Sequence, residues 1–237
     1  MRFCDQEKKK AITFSYDDGV TQDIRLIELL NKYDLKCTFN LNSGRLSERG
    51  MLIRNGLRIS HYKVHKEDVK AIYEGHEVAA HTLTHKWLPK CDDAEVIRQV
   101  EVDRLNLSEL VGYEVVGLAY ACRRIPQDDD RIPDVIQKNT GIKYCRNIPA
   151  TGNFDLQEDL YRYLPTAYHL DFDQMMELGR EFIALAPEEP KIFSIWGHSY
   201  EMDYESDYWV KLEEFFKLIS HRDDIFYGTN RDVLLSV

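Results

Sequence analysis

No apolar run in this 237-residue chain approaches the ~20 residues that a membrane-spanning helix needs. Met1 to Lys10 is polar and basic with no apolar stretch behind it, so a secretory signal is not expected. The expected location is cytoplasmic, or secreted or periplasmic for a chain that has lost its leader. A C-x-x-C pair is also lacking. The five cysteines (Cys4, Cys37, Cys91, Cys122 and Cys145) are odd in number and scattered, which argues against a disulfide framework. Three of them, Cys37, Cys122 and Cys145, lie in or beside apolar strand-like runs, where a free thiol behaves as a small hydrophobe. Positive charge is in deficit, with 31 Lys and Arg against 41 Asp and Glu and a net charge of -10. That balance argues against nucleic acid or an anionic membrane as partner, and nothing marks a protein partner. Internal repeats, low-complexity tracts and Pro/Gly-rich linkers are missing, so residues 11–237 read as one domain after an N-terminal extension over 1–10.

What is present is ordinary for a globular chain: 43% hydrophobic and 30% charged residues, over a length that can bury one sizeable core. Strand-like runs are expected at Ala11–Tyr16, Lys36–Leu41, Glu77–His81, Val115–Ala121, Ile142–Arg146, Lys191–Trp196 and Ile225–Gly228. Helix-period stripes lie between them: Ile24, Ile27, Leu30 and Tyr33; Val96, Val100, Leu107 and Val111, with Gly112 at the C′ position; Met175, Leu178, Phe182 and Leu185; Trp209, Leu212, Phe216 and Ile219. Pro133 fits a first helical position, with Gly141 closing that segment. Alternation of this kind predicts an α/β fold with a mainly parallel sheet, open or closed into a barrel. Arg45 to Lys66, with Gly50 and Gly56 and little helical period, reads as an insertion or hairpin over one rim.

Three segments carry candidate chemistry. Tyr16-Asp17-Asp18-Gly19 puts two carboxylates directly after an apolar strand, where α/β folds place functional groups, although Asp-Asp-Gly is also common turn chemistry. His81-Thr82-Leu83-Thr84-His85 spaces two imidazoles so that one metal ion can bridge them; the bland alternative is a chance surface pair. Thr82 stands where an H-E-x-x-H zincin has its glutamate, so a metalloprotease is excluded. The third segment, Trp196-Gly197-His198-Ser199-Tyr200-Glu201, ends another apolar run, and a lone histidine there is more often structural than catalytic. Together the three supply what a mononuclear hydrolase requires: metal ligands, a base and an acid.

In order and spacing these segments resemble three motifs of the polysaccharide deacetylase group (NodB-homology, carbohydrate esterase family 4), over about Ala11 to Asn230. The resemblance implies a distorted (β/α) barrel, usually of seven strands, and removal of acetyl groups from N- or O-acetylated sugars. It makes Asp17 the general base and His198 the general acid. Asp18, His81 and His85 would hold one divalent metal ion, zinc foremost, with cobalt or nickel as alternatives. The family's Arg-Pro-Pro-Tyr-Gly motif, whose arginine orients the base, is altered here to Leu118-Ala119-Tyr120-Ala121-Cys122-Arg123-Arg124. Arg146 is preferred slightly over Arg123 as the replacement cation beside Asp17, and the backbone N–H near Cys122 as the oxyanion donor. The acid-tuning motif is unrecognisable; Glu201 or Asp171 would substitute. Tyr120, Cys122, Trp196, Tyr200 and His169 are expected at the substrate, with Tyr204 and Tyr208 suited equally to sugar stacking or to a rim. His61, His65 and His76 read as solvated or structural. Two other readings stay open: hydrolysis of a cyclic imide, ureide or formyl group on the same scaffold, and a non-catalytic carbohydrate-binding relative.

Overall fold

The computed structural model describes residues 8–126 and 128–235, so most of the expected 1–10 extension, with Cys4, lies outside the described residues. Ten strands are present among the described residues: β1 (Lys10–Asp17), β2 (Cys37–Leu41), β3 (Arg49–Arg54), β4 (Leu57–Tyr62), β5 (Glu77–Ala80), β6 (Gly117–Ala119), β7 (Tyr144–Arg146), β8 (Ala167–Tyr168), β9 (Lys191–Gly197) and β10 (Ile225–Tyr227). The helices are α1 (Asp23–Lys32), α2 (Val69–Ile72), α3 (Asp93–Ile97), α4 (Asp103–Val111), α5 (Arg131–Asn139), α6 (Phe172–Ala184), α7 (Tyr208–Ile219) and α8 (Asn230–Leu234). None is long and apolar enough to cross a membrane.

Because helices return the chain between strands, the main sheet is entirely parallel, in the order β7-β6-β5-β2-β1-β9-β8, with β10 also on β1. β10 pairs the first residues of β1, and β2 takes over the same edge from Phe14 onward. The sheet curls into a half-barrel. The gap between its outer strands is spanned by the segment around Tyr163, which bridges Arg146 on one side, while Thr166 bonds Ser194 on the other. This is the expected single α/β domain with a distorted barrel.

All eight residues of β1 are buried, as befits a central parallel strand covered on both faces. Phe14 meets Phe215 and Phe216 of α7 edge-on, and each such ring contributes roughly 1.5–3 kcal/mol on burial. The Trp209, Leu212, Phe216 and Ile219 stripe faces inward as expected. In α1 the buried face is turned: Leu26, Ile27 and Leu30 are inside, and Ile24 is 44% exposed. Asp23 displaces it inward, held by Tyr73 and Ser199. Two further corrections concern helix ends. Pro133 is the third residue of α5, still in the first turn where its missing N–H costs nothing, and Thr140 rather than Gly141 ends that helix. The Val96–Val111 stripe spans α3, a π-helical turn at Arg98–Val102, and α4, with Gly112 left-handed at its C-terminus as expected.

Arg45 to Lys66 contains the antiparallel β3–β4 hairpin, separate from the main sheet. Hydrogen bonds from Thr21 to Tyr62 and from Val64 to Gly19 fasten it over the carboxyl end of β1.

Candidate metal and acid–base site

Parallel strands deliver their carboxyl ends to one rim, and the register brings the chemistry-bearing residues together there. Asp17 pairs with Asn40, Tyr16 with Gly197, and Ala119 with Arg146. A cavity of about 240 Å³ at this rim is lined by Asp17, Asp18, His81, His85, Tyr120, Cys122, Ile148, Trp196, His198 and Tyr200. The backbone is strained around it: Asp18, Thr82, His85 and Cys122 all have positive φ, among eight such non-glycine residues described. For β-branched Thr82 (φ 66°) this is a marked outlier, and such strain persists only where surrounding structure imposes it.

That surrounding structure is visible around the His81–His85 loop. Asp103 accepts the backbone N–H of His81 at 3.0 Å and that of Ser43 at 2.6 Å. Asn42 donates to the carbonyls of His81 and Thr82. Gln99, turned inward by the π-helical turn, accepts the Leu83 N–H through its backbone and the Thr84 N–H through its side chain.

One ligand atom from each of Asp18, His81 and His85 lies within 4.8 Å of the others, so these three could hold a metal ion. The donor chemistry fits. His81 Nδ1 lies 2.8 Å from the Ala119 carbonyl, which can only accept, so this nitrogen carries the proton and Nε2 keeps a lone pair. In His85, Nδ1 faces the Cys122 thiol at 3.4 Å, and Nε2 lies 3.5 Å from Asp18 Oδ1. That Asp18 oxygen is buried without a hydrogen-bond partner. Burial pushes the pKa of both imidazoles down, that of His85 to about 4, helped by the charge of His81. Both are therefore neutral at neutral pH, as metal ligation requires.

Asp17 is not part of that trio. Burial alone would raise its pKa, but the fully buried Arg146 guanidinium, which grips both carboxylate oxygens, holds it below the usual carboxylate range. Asn40 Nδ2 donates to it at 2.8 Å. Arg123 lies elsewhere, stacked toward Trp87. Across the cavity, His198 Nδ1 lies 3.0 Å from Glu201 Oε2, while Asp171 sits instead at the start of α6. Burial opposes a charge on His198, yet the Glu201 hydrogen bond and the Asp18 and Asp17 carboxylates lift its pKa to about 9.

Several expectations need correction. His169, expected at the substrate, is fully buried behind the cavity: Nε2 is 2.7 Å from Glu201 and Nδ1 is 3.1 Å from the Tyr16 hydroxyl. Tyr120 lines the cavity but is 1% exposed, and its hydroxyl donates to the Tyr161 carbonyl. Cys122 is exposed at the cavity rather than packed as a core hydrophobe, whereas Cys37 and Cys145 are buried. Trp196 and Tyr200 do line the cavity; Tyr204 lies under Arg54 and Tyr208 packs on Phe172. His61 is not merely solvated, because its Nε2 is 3.2 Å from Asp18 Oδ2. Lys63, absent from the expectations, is buried with its ammonium 3.2 Å from Asp18 Oδ1. His76 is structural, taking the Cys37 N–H on Nδ1.

The sequence model of one family, described as polysaccharide deacetylase, matches residues 5–144, a span holding Asp17, Asp18, His81 and His85 but ending before Arg146 and His198. No curated protein matches the chain. Among solved structures, Puue allantoinase superposes with a TM-score of 0.67 at 12% identity, over 96% of this chain and 90% of its own. The polysaccharide deacetylase Bc1974 from Bacillus cereus gives 0.56 at 14% identity, over 93% and 91%. BC0361, a polysaccharide deacetylase from Bacillus cereus, gives 0.50 at 16% identity; the match covers 63% of this chain but only 44% of that one. At such identities the likeness is one of fold.

Proposed function

Because the chain belongs to the polysaccharide deacetylase family, we propose that it is a metal-dependent hydrolase removing an acetyl group from an N- or O-acetylated saccharide. The observation that carries this reading is the single cavity shared by the Asp18, His81 and His85 trio, an Arg146-held Asp17, and a Glu201-held His198. A divalent ion held by the trio, zinc foremost with cobalt or nickel as alternatives, would polarise the acetyl carbonyl and acidify a water.

The chain's own residues divide the remaining work. Asp17, kept ionised by Arg146, takes the proton of the attacking water. The Cys122 backbone N–H, at a residue with φ 69°, is the donor for charge growing on the carbonyl oxygen. His198 enters protonated, with Nδ1 fixed by Glu201, and delivers its proton from Nε2 to the departing amine or alcohol. Trp196 and Tyr200 line the cavity and are the proposed aromatic contacts to the sugar. The compact cavity suits one acetylated sugar unit at a time.

A second reading is ring opening of a cyclic ureide, favoured by the allantoinase likeness and by the same compact cavity. Incubating the protein and Asp17→Asn with Zn²⁺ or Co²⁺ and a panel of acetylated saccharides and cyclic ureides separates the two. Acetate release by the parent protein, reduced about a hundredfold or more in the variant, is expected for loss of the base. Ring opening of a ureide without acetate release from any saccharide would replace the first reading with the second.

A further inference from the structure

Lys63 follows the β3–β4 hairpin and reaches the metal trio from outside the motifs that compose it. Its ammonium donates to the Asp18 carbonyl at 2.6 Å and lies 3.2 Å from Asp18 Oδ1, the same oxygen that lacks a hydrogen-bond partner and faces His85. The side chain is 2% exposed, so solvent screens it little. Its backbone is clamped: Lys63 N bonds Glu48 O at 2.8 Å, Lys63 pairs with Val20, and Val64 N bonds Gly19 O at 3.0 Å. The docked hairpin fixes where this side chain starts, and its burial and the bond to the Asp18 carbonyl hold the ammonium beside the trio.

The charges at the site balance without any ion. Arg146 offsets Asp17, Lys63 offsets Asp18, and Glu201 offsets the protonated His198. Ligating imidazoles are neutral, so a divalent cation at the trio adds two positive charges beside the Lys63 ammonium. Like charges a few ångströms apart in a buried site repel strongly. A site of one carboxylate and two imidazoles without this lysine would carry one net negative charge toward the ion.

We propose that Lys63 is a built-in competitor for the Asp18 carboxylate, holding the site's divalent-metal affinity low so that the ion exchanges readily rather than being locked in. The inference rests on the metal-dependent reading of the trio. It makes loading responsive to the free metal concentration, and it gives the hairpin a role in metal control beyond covering the rim.

The test uses the whole chain stripped of metal by a chelator, with Co²⁺ titrated against a chromophoric competitor and folding checked by circular dichroism. Lys63→Met, which removes the charge but keeps the stem, is expected to bind Co²⁺ about tenfold or more tightly than the parent. Lys63→Arg, which keeps the charge, should stay within about threefold. If Lys63→Met does not fold, Lys63→Gln carries the same expectation, since it retains a donor for the Asp18 carbonyl. Unchanged or weaker binding in the neutral variants overturns the inference and leaves Lys63 as a residue that only positions Asp18. If parent, Lys63→Met and Lys63→Gln all bind no better than Asp18→Asn, the metal reading itself falls, and the inference with it.

Discussion

Asp17 and Asp18 are neighbours in sequence, yet the fold gives them different partners and so different chemistry. Asp17 faces a guanidinium; Asp18 faces two imidazoles, a third from His61, and an ammonium. Replacing Arg146 with Met leaves a buried carboxylate unpaired, which is expected to cost about 3–5 kcal/mol in chemical denaturation. It should also raise the Asp17 pKa, moving the acidic limb of the pH–rate profile upward. In the proposed mechanism His198 acts protonated, so the alkaline limb should follow its pKa, lifted to about 9. Glu201→Gln removes the carboxylate that holds the proton there, so that limb should move to lower pH, and kcat should fall with little change in KM. The His198–Glu201 pair also stabilises the fold, fully below the unfolded histidine pKa of about 6.5, with the contribution lost as pH rises through about 9. The depressed carboxylates Asp17, Asp18 and Glu201 act oppositely, contributing above their unfolded values of about 4 and losing that contribution as the solution is acidified. At this scale the sequence showed the trio and Asp17 because each sits in a short motif at a strand end. It left Arg146 and Arg123 nearly level, and did not show Lys63 at all, because residues 45 sequence positions apart meet only once the hairpin folds back. Glu201, three residues beyond His198, had a usable signal: its side chain also accepts the His198 backbone N–H at 3.1 Å, as in a capping box.

The element that sets the proposed metal site is the loop from His81 to His85, held between the 43–45 turn and the π-helical turn. Gly44 bonds the Leu83 carbonyl at 3.0 Å, and a Cβ there would stand 2.5 Å from the same oxygen. Gly44→Ala is therefore expected to displace the loop and weaken Co²⁺ binding about tenfold or more, while circular dichroism still reports a folded chain. Gln99→Ala removes the side-chain bond to Thr84 and should weaken binding less, because the Gln99 backbone bond to Leu83 survives. Neither support was legible in the sequence. One extra residue in a helix barely disturbs an apolar stripe, so Val96 to Val111 reads as a single α-helix when a π-helical turn interrupts it. The hairpin was visible as a break in helical periodicity, but its contact with Asp18 was not.

For the whole molecule, parallel strands and their shared rim explain why scattered residues converge: β1, β5, β6, β7 and β9 each end at the cavity. That architecture was legible because strand and helix periods alternate along the chain and because the motifs fall where strands stop. The buried face of α1 was not, since Asp23 is taken inside by Tyr73 and Ser199 while Ile24 is left in solvent. The central claim is that hydrolysis depends on an ion held by Asp18, His81 and His85. Titrating Zn²⁺ or Co²⁺ into the metal-stripped chain, with acetate release followed on an accepted acetylated saccharide, tests it most directly. Activity should be near zero without metal and saturate at about one equivalent bound, with no recovery for Asp18→Asn. Full activity in the stripped protein, or an Asp18→Asn variant that matches the parent, would contradict it.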